Sequence, residues 1–248
     1  MVYMSLSPDA TAQGSAGTEG ILEPRFLVDV PTAGMLAQGS FGLDLDFYQD
    51  GGILLGLSAG LLDRLSFGVS YGGTRLVGSD EPIMNPVPGV NIKFRIIEEN
   101  VALPAIVLGF DSQGRDGYLK DLSRYTIKSP GFYAAASKNY SLLGYLSIHG
   151  GVNYCLERAD DDRDINAFAG VEKSVGSVVS LLMEYNLGAN DSDGKAIGKG
   201  RGYLNAGVKC TVGGGLTLGV CLKDLARNSS HDVTVANRTV EIEYAKTF

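Results

Sequence analysis

Charged side chains recur at every second position in segments of this sequence that are otherwise apolar. Asp44 and Asp46 stand this way in residues 40–48, Glu241 and Glu243 near the end, and Lys93 and Arg95 in between. Glu184, Lys209 and Lys223 also sit singly among alternating apolar residues. A spacing of two places side chains on one face of a strand, so each pair shares a face opposite leucine, isoleucine or phenylalanine. Ionised groups do not face lipid or a dry core without partners. What such a face offers is water, counter-charge and ions. Its chemistry is either that of a salt-bridged aqueous interior or that of a narrow ion or solute path lined by charge. If the first and last segments meet, Asp44 and Asp46 neighbour Glu241 and Glu243, and that acidic seam requires cations, water or the basic groups Lys93, Arg95, Lys209 and Lys223 close by.

Other chemistry has little material. The chain has two histidines, His149 on the same kind of polar strand face and His231 in a loop. It carries no G-x-S-x-G elbow and no H-E-x-x-H pair, so no catalytic residues are assigned and a non-enzymatic protein is expected. The acidic runs 160–164 and 190–194 are rich in oxygen ligands but lack the spacing of a calcium loop. They are read as solvated loops, with no metal or cofactor. The glycine runs precede no helix, which argues against phosphate cradles. Cys155, Cys210 and Cys221 have no metal-site spacing. Alternation points Cys210 and Cys221 to opposite sides of their sheet, so all three are read as unpaired packing residues.

The elements that position these groups are strands. In 51–73, Ile53, Leu55, Leu57, Ala59 and Leu61 alternate, then Leu65, Phe67, Val69 and Tyr71 do so after Asp63-Arg64. Between the latter lie Ser66, Gly68, Ser70 and Gly72. One face is greasy and the other small and weakly polar, a strand hairpin. The pattern recurs about twelve times, in lengths near the nine to eleven residues that cross a bilayer at a tilt. Connections after the second, fourth, sixth, eighth and tenth strands are short. Those after the third, fifth, seventh, ninth and eleventh are long, and the 49–52 turn after the first is the one tight connection on that side. This alternation implies an all-β, closed, antiparallel up-and-down transmembrane barrel with short periplasmic turns and long outer loops, in the outer membrane of a Gram-negative bacterium. A soluble barrel binding an apolar ligand would reverse the faces.

Among 248 residues there are 34 glycines and 8 prolines, and no run approaches the length of a transmembrane helix. The net charge of −7 gives no clustered basic face, so no nucleic-acid partner is expected. Residues 25–248 read as one barrel domain. Residues 1–24 read as a signal remnant or disordered periplasmic lead-in, with Ala10-Thr11-Ala12 fitting a signal-peptidase site. The apolar run 26–30 and the turn Pro31-Thr32-Ala33-Gly34 are expected to introduce the first long strand. Tyr48, Tyr71, Phe110, Tyr154, Tyr185 and Tyr244 are candidates for the interfacial aromatic belts of a chain without tryptophan.

Two resemblances add to this. Val240, Ile242, Tyr244 and the terminal Phe248 resemble the insertion signal of bacterial outer-membrane barrels, with Lys246 departing from the usual apolar residue. It implies the lipid bilayer and the barrel-assembly machinery as partners. Residues 88–154 resemble the strand–turn–strand signature of the YjbH-type outer-membrane proteins, which accompany exopolysaccharide and capsule secretion operons. Lys93, Arg95, Glu98, Glu99, Pro104, Ala105, Gly109, Ala136, Ser137 and Lys138 fit that pattern, and PTAG at Pro31 is similar to a motif near the family's start. The resemblance implies a structural or accessory barrel working with envelope proteins or polysaccharide. The alternative to that reading is a small outer-membrane diffusion pore.

Overall fold

The computed structural model describes residues 15–18, 20, 23–231 and 236–248. Twelve strands form its wall: β1 (Ser40–Tyr48), β2 (Gly52–Leu62), β3 (Leu65–Thr74), β4 (Gly89–Ile97), β5 (Ala105–Asp111), β6 (Gly131–Ser141), β7 (Tyr145–Tyr154), β8 (Asn166–Val175), β9 (Val179–Asn186), β10 (Tyr203–Gly213), β11 (Leu216–Lys223) and β12 (Asn237–Thr247). Each pairs antiparallel with its chain neighbours, and β1 pairs with β12 over eight registered positions, so the sheet closes without an edge. Closure gives every wall strand a paired neighbour on both sides, as a strand-built membrane crossing requires.

The faces divide as alternation dictates. Leu55 and Leu181 are 41% and 48% exposed on the outside, whereas Glu184 and Lys209, pointing inward, are 1% exposed. Leu57, Phe67, Val69, Phe94, Leu108, Ile148, Val208 and Val220 continue the outer apolar surface. A soluble barrel would bury these residues and expose the charges. This chain is a transmembrane β-barrel of the outer-membrane type. The short turns and both described ends of the chain lie at one rim, which the class rule makes periplasmic, and the long loops lie at the other. Tyr71, Tyr154 and Tyr185 face outward near the long-loop rim. Tyr48 does not belong to that belt: its even position turns it inward, where its hydroxyl donates to the Gly73 carbonyl.

The interior is not simply wet. The described residues of 15–18 and 23–38, expected as a lead-in and a turn before β1, belong to a strap: 15–18 lie against the periplasmic rim, and 23–38 fold back on themselves inside the lumen and leave at that rim. Leu27 N–H donates to the Val30 carbonyl and Thr32 N–H to the Arg25 carbonyl, closing a hairpin whose tip is 28–30. Leu27, Val28, Val30, Ala33 and Met35 pack on Ala105, Val107, Tyr133, Ala135, Phe168, Leu182 and Cys221. Each fully buried large aliphatic side chain here is worth about 1.5–3 kcal/mol. The expected leader cleavage site, Ala10 to Ala12, falls outside the described residues. Of the expected disordered stretch, Ser15 and Ala16 are buried: the N–H groups of Ala16 and Gly17 donate to Ser180 Oγ, and that of Thr18 to the Gly176 carbonyl. The run 26–30 therefore lines no strand; bracketed by Pro24 and Pro31, it is the part that the barrel swallows.

All three cysteines are free, with Cys155 and Cys221 buried and Cys210 partly exposed on the lipid side. Burial, with Glu157 nearby, pushes the Cys155 thiol up to about 11. In the folded barrel near neutral pH, a water-soluble maleimide is expected to leave Cys155 and Cys221 unmodified. Mass spectrometry of native and denatured protein checks this, and rapid native labelling of Cys155 would contradict the packing.

Candidate functional site: a charged lumen closed by a strap

The register puts Asp44 opposite Glu243 and Asp46 opposite Glu241 across the β1–β12 seam. Like charges directly opposite on a sheet repel, and three cations answer them. Arg25 of the strap pairs with Asp44, Arg115 reaches Asp46 at 3.2 Å, and Lys209 lies 3.3 Å from Glu241 and 2.6 Å from Glu243. The expectation that Lys93 and Arg95 help to answer this seam is corrected, because both are used by the strap. The Lys93 ammonium gives its protons to the carbonyls of Arg25 (2.6 Å), Thr32 (3.3 Å) and Gly34 (3.2 Å). Arg95 pairs with Glu23, reaches Glu98 at 3.1 Å and donates to the Ala33 carbonyl at 2.9 Å.

Glu184 is the complementary anchor. Its carboxylate accepts the N–H groups of Val28 and Asp29 at 2.9 Å and Val30 at 3.2 Å, and the Asn205 amide at 2.8 Å. Ser137 accepts the Ala33 N–H at 2.9 Å, and its hydroxyl shares a second hydrogen bond with His149 Nδ1 at 2.8 Å. This serine–histidine pair thus seats the strap. Three polar residues of the family-like signature that face the lumen, Lys93, Arg95 and Ser137, converge on the Pro31-Thr32-Ala33-Gly34 turn, whereas Lys138 turns to the rim and pairs with Glu99 at 3.6 Å.

A second insert comes from the outer side. Within the loop after β5, Arg115–Leu119 and Arg124–Ile127 form a small hairpin. It meets the strap twice. Lys223 pairs with Asp29 of the strap at 2.8 Å and with Asp116 of the hairpin at 3.3 Å. The Phe26 ring lies between Lys93 and Arg115, 5.0 and 4.5 Å from its centre. Asp111, Glu172, Arg115 and Asp116 were not singled out in the sequence, although extending the β5 alternation by one residue turns Asp111 inward.

Two spaces remain beside the strap. A periplasmic vestibule of about 510 Å³ is bordered by Glu23, Arg25, Arg95, Glu98 and Glu243. A cavity of about 90 Å³ lies deeper, against Gly56, Ser58, Ser66, Gly68 and Ser70 of the opening hairpin, whose small side chains leave the lumen unfilled there. Arg25, Leu36 and Glu243 border both spaces, so Arg25, paired with Asp44 of the deeper one, stands where the two adjoin.

The outer loops are knotted by charge, a correction to their reading as solvated. Arg124 is fully buried and bonds to Asp160 at 2.8 Å and to both oxygens of Asp191 at 2.5 and 3.0 Å. Lys128 also pairs with Asp160 at 2.7 Å. Asp162 accepts the N–H groups of Ser192 and Asp193 at 2.9 and 3.0 Å. Burial pushes the Asp162 carboxyl up, but these N–H groups and that of Asp164 outweigh it and hold the group below the ordinary carboxylate value. A carboxylate depressed on folding stabilises above its unfolded pKa and loses that contribution as pH falls through the folded one. Protection of the Ser192 and Asp193 amides from hydrogen exchange, corrected for intrinsic rate, is therefore expected to decline as pH drops below about 4. Unchanged protection at pH near 2 would contradict it.

No protein-family model matches the chain, and no curated protein matches it in sequence. Among solved structures it is similar to the KdgM porin, with a TM-score of 0.48 and 10% identity over 84% of this chain and 99% of that one. The NanC porin gives 0.48 and 8% over 84% and 99%, and Omp33 of Acinetobacter baumannii gives 0.47 and 7% over 86% and 98%.

Proposed function

We propose that this barrel is a small diffusion pore of the Gram-negative outer membrane, held shut by its own N-terminal strap. One observation carries the reading: outside the apolar patch around Val107, Phe168 and Leu182, the wall behind the strap carries ionised and polar side chains, and the hydrogen bonds that hold the strap to them come chiefly from its backbone N–H and carbonyl groups. A permanently dry core would spend stability on burying so many charges, since apolar residues of like volume are as good or better there. Once water replaces the strap, the same groups are hydrated and the lumen is a path. The protein's own residues do no covalent chemistry in this scheme; they hold the strap, and when it leaves they line the passage.

The apolar cluster around Leu27 and Val30 favours a second reading, a permanently filled barrel serving as an accessory of envelope export. That is the role implied by the YjbH-type resemblance. Single-channel recording in planar bilayers separates the two. The native chain is expected to be closed with rare openings, and full-length Leu27→Asn/Val30→Asn to show steady ohmic steps, because two amides in the apolar cluster expel the strap. A variant that is folded by heat-modifiable gel mobility yet silent would overturn the pore and favour the filled accessory.

A further inference from the structure

We infer that the opened lumen selects for small cations; this rests on the pore reading above. Among the described residues, the strands turn seven carboxylates inward: Asp44, Asp46, Asp111, Glu172, Glu184, Glu241 and Glu243. Against them stand four cationic groups, Lys93, Arg95, Lys209 and Lys223. The outer hairpin adds Arg115 and Asp116, which cancel. With the strap seated, Arg25, which borders both spaces, pairs with Asp44, while Glu23 and Asp29 of the strap pair with Arg95 and Lys223.

Withdrawal of the strap is not neutral for the wall. It removes Arg25 from Asp44, whose cross-strand neighbour is the carboxylate of Glu243, and leaves Lys209 and Arg115 as the nearest counter-charges of four acids, while away from that seam it frees Arg95 from Glu23 and Lys223 from Asp29. The charges are also segregated. The seam of β1 and β12 is acidic, with four carboxylates against Lys209 and Arg115, while Lys93 and Arg95 stand on β4, so a permeating cation meets a net acidic flank from the vestibule to the level of Asp46. A carboxylate-lined constriction with low-dielectric walls concentrates cations and excludes anions. Arg25 therefore has two roles in the closed state: it stands between the two spaces and supplies Asp44 with the positive charge that a cation would otherwise bring.

The test is the reversal potential of full-length Leu27→Asn/Val30→Asn in a potassium chloride gradient, a pair of substitutions that leaves the charge of the chain unchanged. Val30→Asn alone serves if the double variant does not insert. The dilute side is expected to become positive, with potassium favoured over chloride by at least about threefold. Adding Asp44→Asn, whose partner has left with the strap, is expected to bring that ratio toward one. Steady openings with zero or reversed potential would overturn cation selection while leaving the pore intact. Folded protein without openings would overturn both.

Discussion

Glu184→Ala frees the strap. The substitution strips acceptors from three buried N–H groups at the hairpin tip, those of Val28, Asp29 and Val30, and leaves the Asn205 amide with Asp29 at 3.1 Å. A buried donor left without a partner costs about 1–3 kcal/mol, so the seated state loses at least about 3 kcal/mol, roughly a hundredfold in the seated-to-released ratio. Trypsin cleavage after Arg25 in the inserted protein measures it, because proteolysis tracks the population of the open form when reclosing is fast. The rate is expected to rise roughly a hundredfold, with Glu184→Gln between the two, since its amide keeps one acceptor oxygen and turns a donor toward donors. An Ala variant cleaved at the native rate would mean that the carboxylate does not hold the tip.

The second large effect is expected at the other rim. Arg124→Met leaves Asp191 buried with Tyr203 and the Ile197 N–H as its partners, while Asp160 keeps Lys128. Removing one partner of a buried ion pair costs about 3–5 kcal/mol, and here the loss falls on the loops, not on the wall ladder. Cleavage at Lys195 and Lys199 is expected to become rapid while the barrel keeps its heat-modifiable mobility and its slow cleavage at Arg25. Combining Arg124→Met with Asp191→Asn should cost less than the two separately, because the second change removes the charge that the first strands. Simple additivity, or loss of the barrel itself, would contradict a knot confined to the loops.

These two sites differ in how far they could be read from the sequence. The twelve strands were legible because period-two alternation is strict wherever one face meets lipid: a slip of one residue would turn Leu181 inward and Glu184 outward. The same alternation located Asp44, Asp46, Lys209, Lys223, Glu241 and Glu243 on the inner face, and loop lengths ordered the rims. The strap was not legible, because Leu27, Val28 and Val30 have no periodic partner and their environment is created by residues more than 70 positions away, such as Val107, Phe168 and Leu182. Its signal was an apolar run between Pro24 and Pro31 with no alternation of its own. The loop knot was hidden for a related reason. Asp160 and Asp162 look like any solvated acidic run until Arg124 and the 190–193 backbone are brought to them from other loops.

The seating of the strap is tested most directly by hydrogen exchange at the amides of Val28, Asp29 and Val30 in the membrane-inserted native protein. With these N–H groups bonded to Glu184 inside a closed barrel, they are expected to exchange as slowly as wall amides such as that of Val208. Exchange at the rate of an exposed loop would mean that the lumen stands open and that the strap does not close it.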